Sequence, residues 1–343
     1  MVGMGVKLGS LFPSETIAFK DLHDRIIAID AYNVLHQFLA TIRQRDGTAL
    51  KNAEGKITSH LSGLFYRSAN LIQNRIKPVY VFDGKPHQLK QETIDERNRR
   101  RLQAEKDWKE ALEKGDMRKA RTKAQQTSRV TEEIVNQSKT LLETLGIPYV
   151  QAPQEGEAQA SYMVKKKDVY AVGSQDFDCL LIGAPVLIRN LTSSSKRKLP
   201  GKKAYTTIHP ERIHLNQTLD KLGISQKQLV DMAILMGTDF NEGIKGIGPK
   251  KSLKLIKKNG NIENVLSTMG ADEAPTFQKI KQIRSLFLHP KITDDYELNW
   301  SYPDESAVKN QLCNHFQFSE KRVDSMIQKF EPIKEMKKQQ TLF

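Results

Sequence analysis

A mostly parallel, twisted α/β sheet flanked by helices is the fold class these 343 residues predict, and three observations carry that prediction. Short apolar runs at 25–30, 77–84, 147–150 and 169–172 each close on, or lead straight into, acids. Segments with apolar residues at helical spacing separate the runs, which is the alternation of parallel strands and crossover helices. The acids fall just past the carboxyl ends of the expected strands, the sheet edge where ligands gather in open α/β folds.

Two stretches hold the centre of the pattern. Pro-Gln-Glu-Gly-Glu-Ala-Gln-Ala (153–160) and Ser-Gln-Asp-Phe-Asp (174–178) each carry two acids at i, i+2, with a helical segment, 158–164, between them. A right-handed crossover would set their strands side by side or nearly so, with both loops at one end. Glu155, Glu157, Asp176 and Asp178 would then converge. Acids at helix starts and in turns are common singly, but capping does not explain a repeated pair in one unit. Four such charges stay ionised together only beside cations, so the arrangement implies bound divalent metal.

Composition points the same way. Lys and Arg number 54 against 40 Asp and Glu, a net charge of +14 with pI near 9.5. A chain this basic is suited to polyanions, nucleic acid first. Cys179 and Cys313 have no metal-site spacing and suggest no disulfide framework, which fits a reducing interior. No apolar run reaches the roughly 18 residues of a membrane span, and the N-terminus lacks a signal-peptide core. The expectation is an intracellular protein without membrane attachment, and nothing suggests an obligate dimer.

Taken in order, 25–30 reads as a buried strand ending on Asp30, and 33–39 as a helix. Residues 59–74 are helical by the spacing of Leu61, Leu64, Phe65, Ala69 and Ile72, and 77–84 is a second strand closing on Asp83. From 85 to 129 no strand-like run occurs, and charge is dense. This reads as one or two mobile helices inserted between strands, either a solvated face or a basic lid over the acids. Residues 130–145 form an amphipathic helix, 186–188 a further strand, and 192–198 a polar basic loop. A helix at 229–236 ends in Gly-Thr-Asp-Phe (237–240), which adds Asp239. Gly-Ile-Lys-Gly-Ile-Gly-Pro-Lys-Lys (243–251) then opens a Lys-rich helix. Gly246 and Gly248 before Pro249, with Lys250 and Lys251 after it, present backbone N–H groups at a helix start, a phosphate cradle that reads no base. Residues 269–330 read as helical and irregular, with Ile280, Ile283, Phe287 and Leu288 as core, and 337–343 as a polar tail that orders on binding.

The chemistry follows from Asp30, Asp83, Glu155, Glu157, Asp176, Asp178 and Asp239. Hard oxygen donors without His or Cys select Mg²⁺ or Mn²⁺. Two such ions roughly 3.5–4 Å apart serve in-line phosphoryl displacement. An acid pocket in a basic protein therefore predicts a metal-dependent phosphodiesterase acting on nucleic acid, with DNA and RNA, endo- and exonuclease, as alternatives.

The motifs Ile-Asp-Ala (29–31), Thr-Ser-His-Leu-Ser-Gly-Leu-Phe-Tyr-Arg (58–67), Val-Phe-Asp-Gly-Lys-Pro (81–86), Gln-Ala-Pro-Gln-Glu-Gly-Glu-Ala-Gln-Ala (151–160), Ser-Gln-Asp-Phe-Asp (174–178), Gly-Thr-Asp-Phe (237–240) and Gly-Ile-Lys-Gly-Ile-Gly-Pro-Lys (243–250) together resemble the replication flap endonuclease family of archaea and eukaryotes, in the structure-specific 5′-nuclease superfamily. The likeness runs from about Met4 to the end of the chain. It implies a PIN-like α/β nuclease with an inserted helical arch and a helix–two-turn–helix module. It also implies cleavage of 5′ flaps, with 5′–3′ exonuclease activity, in Okazaki fragment maturation and long-patch base excision repair.

By the same resemblance, Asp30, Asp83, Glu155 and Glu157 match one metal group and Asp176, Asp178 and Asp239 the other, for two Mg²⁺ or Mn²⁺ ions. Lys90 and Arg97 match the basic residues at the scissile phosphate. The hairpin at 243–250 matches the duplex grip that carries K⁺, and Arg67 lies in the stretch near the pocket for a one-nucleotide 3′ flap. One nuclease domain, 1–331, is expected, with an N-terminal region 1–84, an arch 85–130, an internal region 131–258 holding the duplex-gripping module at about 229–258, and a helical region 259–331. A flexible tail, 332–343, would bind a sliding clamp (PCNA). Location would be the cytoplasm or nucleoid in an archaeon and the nucleus in a eukaryote. Three departures stand out: His36 replaces the family's stacking Tyr, Met1-Val2-Gly3 precede the usual Met-Gly start, and the clamp motif keeps Gln339, Leu342 and Phe343 but stops there.

Overall fold

The computed structural model describes residues 6, 8–193, 196–198, 205–269 and 275–340. The chain runs through β1 (Glu15–Thr16), β2 (Ile26–Asp30), α1 (Ala31–Thr41), α2 (Ser59–Gln73) and β3 (Lys77–Phe82) before the charged insert, α3 (Gln91–Glu113) and α4 (Met117–Ala124). It then returns through α5 (Glu132–Thr144), β4 (Tyr149–Gln151), α6 (Gly156–Lys166), β5 (Ala171–Gly173), α7 (Asp178–Ile182) and β6 (Val186–Arg189). A ribbon of β7 (Lys196–Lys198) and β8 (Tyr205–Thr207) leads to β9 (Glu211–His214). The remainder is helical: α8 (Leu215–Leu222), α9 (Gln226–Met236), α10 (Pro249–Asn259), α11 (Ile262–Met269), α12 (Phe277–Leu288), α13 (Glu305–Lys309), α14 (Glu320–Ile327) and α15 (Glu331–Gln340).

The main sheet has the order β1-β9-β6-β5-β2-β3-β4. From β6 to β4 all neighbours are parallel, and β9 and β1 close the other edge antiparallel. Strand alternation divides the core. Ala28, Val79 and Val81 face one layer, with α6, α7 and α9. Ile27, Ile29, Tyr80 and Phe82 face the other, with α1, α2 and α5. Strands buried on both faces read as continuous apolar runs, which is why the sequence shows them so plainly.

Three expectations need correction. β4 and β5 are not neighbours, because β2 and β3 lie between them. β2, apolar on both faces, takes the interior position, and α6 carries the chain across it. The stretch 192–198 is not wholly loop, since Lys196–Lys198 pairs antiparallel with Tyr205–Thr207, a Tyr-Thr-Thr strand of good β formers. The stretch 332–340, expected as flexible tail, is helical: α15 runs to Gln340, opened by Glu331-Pro332 and anchored by Ile333, only 3% exposed in the core. Leu342 and Phe343 lie outside the described residues.

The insert, dense in charge, packs α3 on α4 through small buried residues, Ala104 and Ala111 on one and Ala120 and Ala124 on the other. It docks on the loop after α1 through Trp108, whose Nε1 donates to the Asp46 carbonyl at 3.3 Å. After α9 the backbone doubles back so tightly that a Cβ on Gly243 (φ +76°) would stand 2.2 Å from the Gly237 nitrogen. That closure holds the loop bearing Asp239. Gly243→Ala, strained in φ and with no room for its methyl, should lose about 2 kcal/mol or more of stability; urea unfolding of both proteins measures it.

Candidate active site

Six of the seven acids of the sequence-derived set are delivered by a strand end or a helix start. Asp30 ends β2 and caps α1, its Oδ1 accepting the Asn33 N–H at 2.9 Å. Asp83 follows β3 and accepts the Gly156 N–H at 2.6 Å, at the first turn of α6. A Cβ at Gly156 would lie 2.8 Å from that same carboxylate oxygen, so only glycine lets α6 start this close. Glu155 caps α6 and Glu157 lies in its first turn. Asp176 and Asp178 fill the turn between β5 and α7; Asp178 accepts the Val6 N–H at 2.9 Å and Asp176 the Asn33 amide at 2.8 Å. Asp239 comes from the loop after α9. Parallel order puts all these ends on one edge.

Two cations from the insert face this edge. Lys90 forms ion pairs with Glu155 and, at 3.4 Å, with Asp239, and Arg97 bonds Asp239 at 2.5 Å. The Thr93 hydroxyl donates to the Asp239 carbonyl at 2.8 Å, so the first turns of α3 are fastened to the loop after α9. Burial pushes the carboxyls of Asp30, Asp83, Asp176 and Asp178 up to about 7, and their charged neighbours add to the rise. Glu157 rises well above the ordinary range for the same reasons, burial first and then Asp178 and Asp30. Burial opposes the charge on Lys90, yet Glu155, Asp239 and Asp83 outweigh it and hold its pKa above the usual lysine value.

The XPG N-terminal domain model matches residues 4–104, and the XPG I-region model matches 146–239. Flap endonuclease 1 of Thermococcus onnurineus is 48% identical over 345 residues, covering 99% of this chain and 98% of its own. The chain belongs to the flap endonuclease family. Flap endonuclease 1 of Methanothermobacter thermautotrophicus is 50% identical over 96% of each chain. Among solved structures, flap endonuclease-1 from Methanococcus jannaschii superposes with a TM-score of 0.77 at 41% identity, covering 97% of this chain and 100% of that one.

Among the described residues the other candidate residues form no hydrogen bond or ion pair with the acids. His36, on α1, is half-buried; burial, with Arg97 adding to it, lowers its pKa to about 4, so the ring is neutral. Arg67, on α2, is half-buried, and burial lowers its pKa. Gly246 (φ +80°) turns the exposed hairpin, Gly248 caps α10, and Lys250 and Lys251 are exposed on its first turn. Gln339 lies in the last turn of α15.

Sequence reading passed over Asn33. Its side chain donates to Asp176 while its backbone N–H donates to Asp30, so one residue ties two acids from different strands. Ser174 was missed as well; its hydroxyl lies 3.4 Å from both Asp30 and Glu157. Asn33 at the third position after an acid at a helix start was the available signal.

The donor set suits hard divalent cations: seven carboxylates with no His or Cys ligand among them. Among the described residues no three His, Cys, Asp or Glu side chains are already drawn up as a closed ligand cage. Lys90 and Arg97 lie on the acids instead, supplying the positive charge the cluster demands.

The raised carboxyls set a sign for pH. Their folded pKa values exceed the unfolded ones, so the native state holds protons the unfolded chain has released between roughly pH 4 and 7. Stability of the metal-free protein should fall as pH rises through that window. Asp178→Asn should flatten the fall, and Mg²⁺ should raise Tm by several degrees at pH 8 and far less at pH 5. Thermal melts across pH, with and without Mg²⁺, check both.

Proposed function

We propose that this chain is a structure-specific 5′ flap endonuclease, with 5′–3′ exonuclease capacity, that hydrolyses DNA phosphodiesters at junctions of single strand and duplex. Its place would be Okazaki fragment maturation and long-patch base excision repair inside the cell. The reading rests above all on the six carboxylates at one sheet edge and Asp239 from the loop after α9, faced by Lys90 and Arg97 from the root of an inserted helical pair. Relatives about 48% identical along the whole chain, named flap endonuclease 1, support the substrate class. The 1–331 span would act as one nuclease body.

Asp30, Asp83, Glu155 and Glu157 would hold one Mg²⁺, and Asp176, Asp178 and Asp239 the other, with Mn²⁺ able to substitute. When bound, the pair supplies a lowered water pKa and Lewis-acid neutralisation at the phosphate. The chain's own residues do the rest. The backbone N–H groups of Val6 and Gly156 and the amide of Asn33 keep the carboxylates oriented before any substrate arrives. Lys90 and Arg97, no longer needed to balance the acids, turn to the scissile phosphate and offset the charge that grows on its oxygens. The insert, positive in net charge with acids interspersed, would pass the 5′ strand.

The hairpin of Gly246 and Gly248 with Lys250 and Lys251 grips the duplex backbone, with K⁺ as its companion ion and no base read. Arg67 would serve the one-nucleotide 3′ flap, and His36 would meet the substrate where relatives stack a Tyr. Gln339, Leu342 and Phe343 would bind the sliding clamp. One chain supplies all seven acids and both cations, and the active unit would be a monomer. No described helix is long and apolar enough to cross a membrane.

Incubation with Mg²⁺ and a labelled double-flap DNA tests the reading. Wild type should cut at the junction, Asp178→Ala should lose about 10²–10³-fold or more in rate, and Lys90→Ala about 10²-fold, with DNA binding kept. Binding without cutting by wild type would overturn the enzyme reading in favour of an adaptor. Preference for RNA flaps, four-way junctions or free ends would reassign the substrate.

A further inference from the structure

His87 belongs neither to the seven acids nor to the two cations, and it caps the short turn Gln88–Lys90 that enters α3. Its Nδ1 accepts the Leu89 backbone N–H at 3.2 Å. A ring nitrogen that accepts carries no hydrogen, so the hydrogen of the neutral imidazole is on Nε2. Phe240 stands edge-on to the ring at a centroid distance of 6.5 Å and 87°, and is itself packed against Phe287 at 5.6 Å. A backbone donor and an aromatic neighbour thus fix the ring. It lines the same cleft as Lys90, Glu155, Asp178 and Asp239, half-exposed, and among the described residues only its Nδ1 is engaged in a hydrogen bond.

We propose that His87 is a third phosphate-contacting group of this site, donating Nε2–H to a phosphate oxygen of the bound strand beside Lys90 and Arg97. The proposal rests on the nuclease reading above and adds a residue to it. An N–H donor in the wall of a cleft built for a polyanion needs an acceptor, and phosphate oxygens are the acceptors that substrate brings. Lys90 and Arg97 must leave their ion pairs before they reach phosphate. The Nε2–H breaks no ion pair to reach phosphate, and its orientation is set in advance by the Leu89 cap.

Asn and Gln separate the two nitrogens. His87→Asn keeps an acceptor near Nδ1 for the Leu89 N–H but lacks a donor at the Nε2 position. His87→Gln can place an amide donor near Nε2 but gives up the cap. The experiment measures single-turnover cleavage of double-flap DNA with Mg²⁺ for wild type, His87→Asn, His87→Gln and His87→Ala, the last with and without added imidazole, alongside melting temperatures. Expected are a loss of about tenfold in His87→Asn at unchanged Tm, a smaller loss in His87→Gln, and partial rescue of His87→Ala by free imidazole. A wild-type rate in His87→Asn would reduce His87 to a cap and overturn the proposal. So would equal losses in all variants that follow falling Tm with no rescue. If wild type itself fails to cut, the nuclease reading falls, and this proposal falls with it.

Discussion

Asp30, Asp83, Glu157, Asp176 and Asp178 are held where water solvates them poorly and where the negative charge of one raises the pKa of the next. A buried carboxylate without compensation costs several kcal/mol, and five together exceed the whole margin of an ordinary domain unless they are protonated, hydrogen-bonded or faced by cations. The surrounding structure supplies all three forms of relief. Backbone N–H groups at the starts of α1 and α6 and from Val6 each meet one carboxylate. Asn33 ties Asp30 to Asp176. Lys90 and Arg97 bring the positive charge.

The parallel sheet makes the concentration of charge geometrically cheap. Four strand ends reach one edge without any special loop, so β2, β3, β4 and β5 deliver six acids with short connections. The seventh, Asp239, needs the tight reversal at Gly237 and Gly243, where, as at Gly156, only glycine fits. The cations do not come from the central strands β2, β3 and β5, whose side chains fill the core on both faces. They come from the one segment of the chain that has almost no apolar face, the α3–α4 insert, whose charge keeps it from burying itself in the core.

How much of this was legible in the sequence depended on whether a feature is local. The strands ending on Asp30 and Asp83 were readable because doubly buried strands are unbroken apolar runs, and the acids after them stood out against that background. Helix α2 showed its spacing, and Gly248-Pro249 announced the start of α10. The order of β4 and β5 was not readable, since it depends on which strand is apolar enough on both faces to take the interior. The roles of Asn33 and Ser174 were hidden for a related reason: each contacts an acid more than a hundred residues away in sequence. Polar composition hid α15, because the buried Ile333 anchors a helix that reads as tail.

The Lys90–Asp239 pair shows why the insert and the acids form one device. At 3.4 Å the gross attraction is about 5 kcal/mol at an effective dielectric near 20. Desolvating the two groups costs a similar amount, so the pair is close to balanced rather than a clamp. A balanced pair can be exchanged: whatever neutralises the carboxylates releases Lys90 and Arg97 at little net cost, and whatever offers a phosphate to those cations leaves the acids in need of positive charge. Each event favours the other through the same electrostatic term, a reciprocity that linkage requires. Because Thr93 fastens the first turns of α3 to the Asp239 loop, the cations stay beside the site while they change partners. The charge state of the sheet edge and the position of the insert are therefore one variable, set by the repulsion that made the cations necessary.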